Sequence, residues 1–328
     1  MSQSLQEMLR EAAALIEAAE TVTVVGHVRS DADAIGSVSA LVLALRQLGK
    51  QASGLVGQPE PFSANLLSIP GSGEIRITDE LPDADLIVTV DCGSIDRTGF
   101  FAEAIAERCS QTLVIDHHAS NPGFGKVNLL VREAESTTTV LHELFKVLGV
   151  KVDREIAHCI YAGLVTDTGS FRWGRAEMHA LASELMLTGI DTAAIAVDLM
   201  DSTDLRDLQM IGRVLAGVAT HQVGDLTIAT LTASNDLISG HSEAAVESLV
   251  DFVRALRGTD VGVVFKEMSP GTWAVSLRST VIDVSRIAVA LDGGGHVPAA
   301  GYTTYGGIGA VETELLQVLE SVGAPDRA

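Results

Sequence analysis

The sequence predicts an α/β protein: a doubly wound, mainly parallel sheet followed by a smaller C-terminal α/β domain. Between about residue 20 and residue 190, short apolar runs alternate with helical stretches, the order that lays helices on the faces of a parallel sheet. Three of those runs stop at an aspartate or a histidine, in VTVVGH, LIVTVD and TLVIDHH. Buried strands that end this way place their polar residues along one sheet edge, where open α/β sheets hold ligands.

Residues 1–20 read as an amphipathic helix, with Leu5, Met8, Leu9, Ala12, Leu15 and Ile16 on one side. Strands are expected at 21–27, 52–56, 86–91 and 112–116, and helices at 34–49, 99–108, 136–149, 153–164 and 177–188. The 34–49 helix is apolar nearly all round, so it packs on a buried side. Ser136-Thr137-Thr138-Thr139 supplies N-cap hydroxyls for the next apolar helix. This first domain spans residues 1–190, and residues 191–222 read as a helical connector. In the second domain, 223–328, strands are expected at 225–232, 260–267 and 272–279, with helices at 242–256, 281–291 and 311–322.

A length of 328 residues gives either domain room for its own core. Nothing approaches the roughly 18 consecutive apolar residues of a membrane span, and the acidic N-terminus lacks the layout of a signal peptide. Three cysteines without a CxxC pair fit a reducing cytoplasm. The 43 acids against 22 bases, a formal charge of -21, argue against a long nucleic acid lying along the surface, which needs a basic face. A short phosphorylated ligand held by metals and a few arginines is compatible with that charge. A homodimer is the expected assembly on general grounds.

The chemistry lies in four stretches: His27, Asp31 and Asp33; Asp91; Asp116, His117 and His118; and Asp167. One such residue alone is more often structural than functional. An aspartate buried at a strand end costs several kcal/mol, roughly, unless paired or metal-bound, so four converging sites argue for metal. Carboxylates and imidazoles without a thiolate suit divalent cations such as Mn²⁺. Asp33 is equally placed to cap the helix at Ala34, and TDTG around Asp167 also reads as a turn.

HVRSDADAIGS, VDCGS, IDHHAS and VTDTGSFRW resemble the four signature motifs of the DHH phosphoesterase superfamily, and GGGHVPAAG resembles the signature of the DHHA1 domain. The layout is closest to the nanoRNase/pAp-phosphatase branch, whose actinobacterial members also cleave cyclic di-AMP. Ser30 and Ala32 stand where the family often has Pro and Gly, which alters loop shape and not ligands. The resemblance implies two Mn²⁺ ions, one held by His27 and Asp31, the other by Asp33, His117 and Asp167, with Asp91 bridging. It makes Asp116 a carboxylate that fixes an imidazole's tautomer and His118 a donor to the scissile phosphate. On the substrate side, Gly293, Gly294, Gly295 and His296 resemble the DHHA1 nucleotide grip, with Arg278 and Ser279 as partners of a terminal phosphate. A bare glycine triplet is more often a plain loop, and Arg278 alone a solvated strand end.

The implied activity is phosphodiester hydrolysis of cyclic di-AMP, pApA or short oligoribonucleotides to 5′-mononucleotides, with removal of the 3′-phosphate of pAp as a second activity. A RecJ-like single-strand exonuclease would want a basic groove with interleaved aromatics. Eight Phe, two Trp and three Tyr at a charge of -21 speak against that. An inorganic pyrophosphatase would not need the glycine-rich grip. A non-catalytic nucleotide sensor would not need every ligand position filled.

Overall fold

The structure, a computed structural model, describes residues 5–201 and 203–322. These residues form two compact units that divide at position 202.

The first unit comprises α1 (Leu5–Ala18), β1 (Thr21–Gly26), α2 (Ala32–Gln47), β2 (Gln51–Val56), β3 (Arg76–Ile77), β4 (Leu86–Val90), α3 (Ala102–Glu107), β5 (Thr112–Asp116), β6 (Val127–Leu130), α4 (Thr137–Leu148), α5 (Arg154–Asp167), α6 (Glu177–Met186) and α7 (Thr192–Met200). Its strands form one parallel sheet in the order β3-β2-β1-β4-β5-β6. The chain leaves β1 toward β2 on one side and resumes at β4 on the other. The carboxyl ends of β1 and β4 therefore flank the point where strand order reverses, the place where such sheets bind ligands.

The apolar runs behave as expected, with β4 and β5 buried along their whole length. α2 is buried nearly all round, with Ile35, Leu41 and Leu45 fully enclosed, each worth about 1.5–3 kcal/mol of burial. It packs most extensively on α5, and glycines permit the close approach. A Cβ at Gly36 would lie 2.6 Å from the Cys159 carbonyl oxygen, and one at Gly163 would collide with the Asp33 carboxylate and the Thr138 hydroxyl. Ser136 caps α4 through Thr139 N, and Gly149 ends it at φ 68°.

Several expectations need correction. The helix expected at 99–108 is a 3₁₀ segment over Ile95–Phe101 followed by the short α3, because Gly99 takes φ 64° and breaks the ladder. The helix expected at 153–164 continues to Asp167. Strands β3 and β6 went unread, being short and only partly buried. The expected connector, 191–222, holds α7 of the first unit, and then a helix (Leu205–Leu215) and the first strand (Ala219–Val223) of the second.

That second unit comprises α8 (Leu205–Leu215), β7 (Ala219–Val223), β8 (Leu226–Ala233), α9 (Asn235–Ile238), α10 (Glu243–Arg254), β9 (Val261–Ser269), β10 (Thr272–Ser279), α11 (Val284–Ala290), β11 (Gly294–His296), β12 (Ala299–Tyr305) and α12 (Ile308–Val322). Its sheet runs β11-β12-β10-β9-β8-β7 and is antiparallel except between β8 and β9. β7, β11 and β12 were absent from the sequence reading, since they are short or built of small residues. Among the described residues no helix is long and apolar enough to cross a membrane.

Candidate metal centre

At the end of β1, His27 is buried and turns Nε2 toward Asp31 Oδ1 at 3.7 Å and Asp91 Oδ2 at 3.4 Å. Asp31, not Asp33, caps α2, with Oδ1 accepting from the backbone N–H of Asp33 and Ala34. Asp33 lies in the first turn, fully buried. Its carboxylate accepts the backbone N–H groups of Thr137 at 2.6 Å and Thr138 at 3.0 Å. The amino end of α4 thus grips this carboxylate, the favourable arrangement for an anion at a helix N-terminus.

Asp91 follows β4 in the left-handed region, φ 60°. That conformation is uncommon outside glycine and gathers at functional sites. It turns one buried carboxylate to both halves of the cluster. Oδ2 faces His27, while Oδ1 lies 3.6 Å from His117 Nε2 and accepts the Thr137 hydroxyl at 2.9 Å. His117 Nε2 also lies 3.3 Å from Asp167 Oδ2 and 3.8 Å from Asp33 Oδ2. Asp167 is the last residue of α5, so a helix end supplies this fourth position. All six residues read from the sequence as metal ligands therefore come together.

The donor set fits divalent cations. His27, Asp31 and Asp91 can converge on one point and Asp33, Asp91 and His117 on another, with Asp91 common to both. Donor separations run from 3.3 to 3.8 Å, long for hydrogen bonds. They are close to the roughly 3.0–3.4 Å between neighbouring donors that share one cation at about 2.1 Å. The His117 Nδ1–H donates to the Ala134 carbonyl at 3.2 Å, which leaves the Nε2 lone pair facing the carboxylates.

Electrostatics agree. Burial, then the charges of Asp33 and Asp31, push Asp91 well above the usual carboxylate range. Burial and then Asp33 raise Asp167 to about 7. Burial would lower His117, yet the hydrogen bond that its protonated ring donates to Asp167 and the charges of Asp167, Asp91 and Asp33 prevail and raise it. Without a cation these groups must hold protons to coexist. A bound cation would take the place of those protons.

Asp116 lies outside this ring of ligands. Its Oδ1 accepts His118 Nδ1–H at 2.8 Å and the His117 backbone N–H at 2.8 Å, and Oδ2 accepts the Asn121 amide at 2.6 Å. The imidazole whose tautomer Asp116 fixes is therefore that of His118. Burial works against the Asp116 charge, but His118 and Asn121 hold its pKa well below the ordinary value.

Thr137 and Asn121 were not singled out as site residues in the sequence. The Ser-Thr run suggested capping, and only Ser136 caps; Thr137 instead fixes Asp91. Replacing Thr137 by valine, which keeps the shape, is expected to weaken Mn²⁺ binding about 10-fold with little change in melting temperature. Unchanged affinity in a titration would remove Thr137 from this role.

In the second unit the strand register brings two residues together. His296 of β11 and Arg278 of β10 both pair with Ala299 of β12, which places them on one face of the sheet. Ser279 is otherwise engaged. Its hydroxyl donates to the Asp260 carbonyl and accepts from Val281 and Ile282 N–H. The glycine run is required locally. Gly295 has φ 138°, and a Cβ there would lie 2.6 Å from the Ala299 carbonyl oxygen, while one at Gly293 would strike the Gly301 carbonyl and Tyr302.

Comparison with known proteins places this geometry. Residues 21–164 match the DHH family, N-terminal domain, and residues 230–322 match the DHHA1 domain. The chain is 32% identical over 309 residues to a bifunctional oligoribonuclease and PAP phosphatase of Thermus thermophilus, covering 92% of this chain and 89% of the relative. It is 26% identical over 344 residues to a cyclic-di-AMP phosphodiesterase of Geobacillus thermodenitrificans, covering 96% of this chain and 49% of that protein. The crystal structure of an exopolyphosphatase-related protein from Bacteroides fragilis superposes with a TM-score of 0.84 at 25% identity, covering 97% of both chains. With buried carboxylates and imidazoles at its sheet edge, the chain belongs to the DHH phosphoesterase family, a hydrolase that joins a DHH domain to a DHHA1 domain.

Proposed function

We propose that this protein is a Mn²⁺-dependent phosphodiesterase that hydrolyses cyclic di-AMP, pApA and oligoribonucleotides of a few residues to 5′-mononucleotides, and that it also removes the 3′-phosphate of pAp. The observation that carries the reading is Asp91. One carboxylate faces His27 through Oδ2 and His117 through Oδ1, and groups with Asp31 on the first side, the arrangement that suits two cations sharing a bridge. His27 and Asp31 would hold one, and Asp33, His117 and Asp167 the other. When bound, such cations polarise phosphoryl oxygens and lower the pKa of a water.

The protein's own groups supply the rest. Asp116 accepts the Nδ1–H of His118, so Nε2 is the nitrogen that meets the substrate, and with the ring protonated it donates its proton to the leaving oxygen and is left neutral. The amino end of α4 and Thr137 keep Asp33 and Asp91 aimed. In the DHHA1 unit, Arg278, Gly293, Gly294, Gly295 and His296 would grip a nucleotide, Arg278 by its suitability for phosphate. The relatives named as oligoribonuclease, PAP phosphatase and cyclic-di-AMP phosphodiesterase support this substrate class. A charge of -21 disfavours a long strand. A homodimer in the cytoplasm is the proposed setting.

The test is a side-by-side kinetic comparison of cyclic di-AMP, pApA, a trinucleotide, pAp and a 30-nucleotide strand, with Mn²⁺ and with Mg²⁺. Turnover of the short substrates, at least about tenfold faster than the long strand, is expected. No turnover of any short substrate would sink the reading.

A further inference from the structure

His27 poses a problem that His117 does not. Its Nδ1 lies 2.9 Å from the Val28 carbonyl oxygen and 3.0 Å from Arg97 Nη2. A carbonyl only accepts and a guanidinium only donates. The nitrogen can satisfy one of them at a time. With the proton on Nδ1, His27 donates to Val28 and offers its Nε2 lone pair toward Asp31 and Asp91. With the proton on Nε2, Nδ1 accepts from Arg97 and the cation-facing lone pair is gone.

Arg97 is held in place for this competition. Its carbonyl accepts Val28 N–H at 2.8 Å, and the following residues seat against the β2 exit through Phe100 N–H to the Gly57 carbonyl at 2.9 Å. Gly99 is required there, since a Cβ would strike the Gly57 carbonyl and Val28. Among the described residues the Arg97 guanidinium forms no ion pair within 4.0 Å. Burial, and then the neighbouring charge of Arg29, hold its pKa below the ordinary value. Arg29 is itself exposed and has φ 55°. A half-buried guanidinium that lies 3.0 Å from a proposed metal-ligand histidine and forms no ion pair among the described residues is suited to a tetrahedral dianion.

We infer that Arg97 is a metal-coupled phosphate-binding residue: it rests on His27 Nδ1 until a cation takes Nε2, and is then released to a phosphoryl group. The ring proton leaves Nε2 and is carried on Nδ1, which donates it as a hydrogen bond to the Val28 carbonyl, so no net proton is gained or lost at this residue. The inference rests on the reading of His27, Asp31 and Asp91 as a cation site, and on no particular nucleotide.

Its test needs no turnover. Long-range ¹H–¹⁵N correlations of His27 in the metal-free wild type are expected to show the Nε2–H tautomer, changing to Nδ1–H when Mg²⁺ is added. Calorimetry of Arg97→Met is expected to show Mn²⁺ bound at least as tightly as in the wild type, since a competitor and a nearby positive charge are gone. Inorganic phosphate, titrated into the Mn²⁺-loaded variant and read by water-proton relaxation, should bind at least about tenfold more weakly. An Nδ1–H tautomer in the metal-free wild type would overturn the inference. So would a folded Arg97→Met that binds Mn²⁺ more weakly, the mark of a residue that only steadies His27, or one that binds phosphate as well as the wild type does. If these readouts hold while no nucleotide is hydrolysed, the proposed substrate class fails and the assignment of Arg97 stands.

Discussion

Replacing Asp91 by asparagine is expected to lower phosphodiester hydrolysis by about 10³-fold or more, a loss of about 4 kcal/mol of transition-state stabilisation, while making the metal-free protein more stable. Both effects follow from one geometry. Among the described residues Asp91 is common to the His27–Asp31 and Asp33–His117 donor groups, so neutralising it should weaken both proposed cation sites and remove the charge that would offset repulsion between two ions. In the metal-free protein that same carboxylate is buried beside Asp33 and Asp31, which raise its pKa well above the ordinary range once burial has begun to do so. Asparagine keeps the shape and the oxygen that accepts the Thr137 hydroxyl, and removes the charge. The metal-free melting temperature should rise by about 2 °C or more, and the stabilisation given by Mn²⁺ should largely disappear. Activity within tenfold of the wild type, or a metal-free variant that melts lower, would show that Asp91 does not hold this position between the two donor groups. Stability would thus be sacrificed to function at this residue, the trade-off expected of a preorganised site.

The sheet-edge chemistry was legible because each of its parts is local. LIVTV and TLVI are continuous apolar runs that end on Asp91 and Asp116, and strands buried on both faces need no finer signal. What could not be read are relations across the chain. Asp31 and Asp33 are two residues apart and either could cap a helix. Only the position of α4 decides, because it brings Thr137 and Thr138 N–H to Asp33, more than a hundred residues away in sequence. Arg97 likewise meets His27 across 70 residues. Asn121 is close to Asp116 in sequence, but its role depends on the path of the loop after β5. In the second unit, the glycines of DGGGH read as an anion cradle, whereas the structure first requires Gly293 and Gly295 for the β11–β12 approach. The same register nonetheless aligns Arg278 with His296, a pairing invisible in a sequence that did not reveal β11 or β12.

Metal removal is expected to give the largest change in stability, with a pH dependence that identifies its cause. In the metal-free fold Asp167 is raised to about 7 by burial and then by Asp33. Asp91 is raised well above the ordinary value, and His117 is raised by Asp167 against the effect of burial. An unfolded chain releases its aspartate protons near pH 3.9. Between about pH 4 and 7 the folded state therefore binds more protons than the unfolded state, and stability must fall as pH rises. Each proton so held counts for about 1.4 kcal/mol per pH unit, so even one predicts a melting temperature lower by roughly 5–10 °C at pH 7 than at pH 5. The carboxyls of Asp31 and Asp116 are depressed. Their contribution is lost only below about pH 4, outside this window. His158, lowered by burial, opposes the trend near pH 6 and is outnumbered. Saturating Mn²⁺ should reverse the slope, because ligands that have lost their protons bind the ion more tightly as pH rises. Calorimetric titration near pH 6 in buffers of different ionisation enthalpy should then register proton release. A metal-free melting temperature that stays flat or climbs from pH 5 to pH 7 would mean that these buried groups do not share protons, and that the cluster is not held in waiting for a cation.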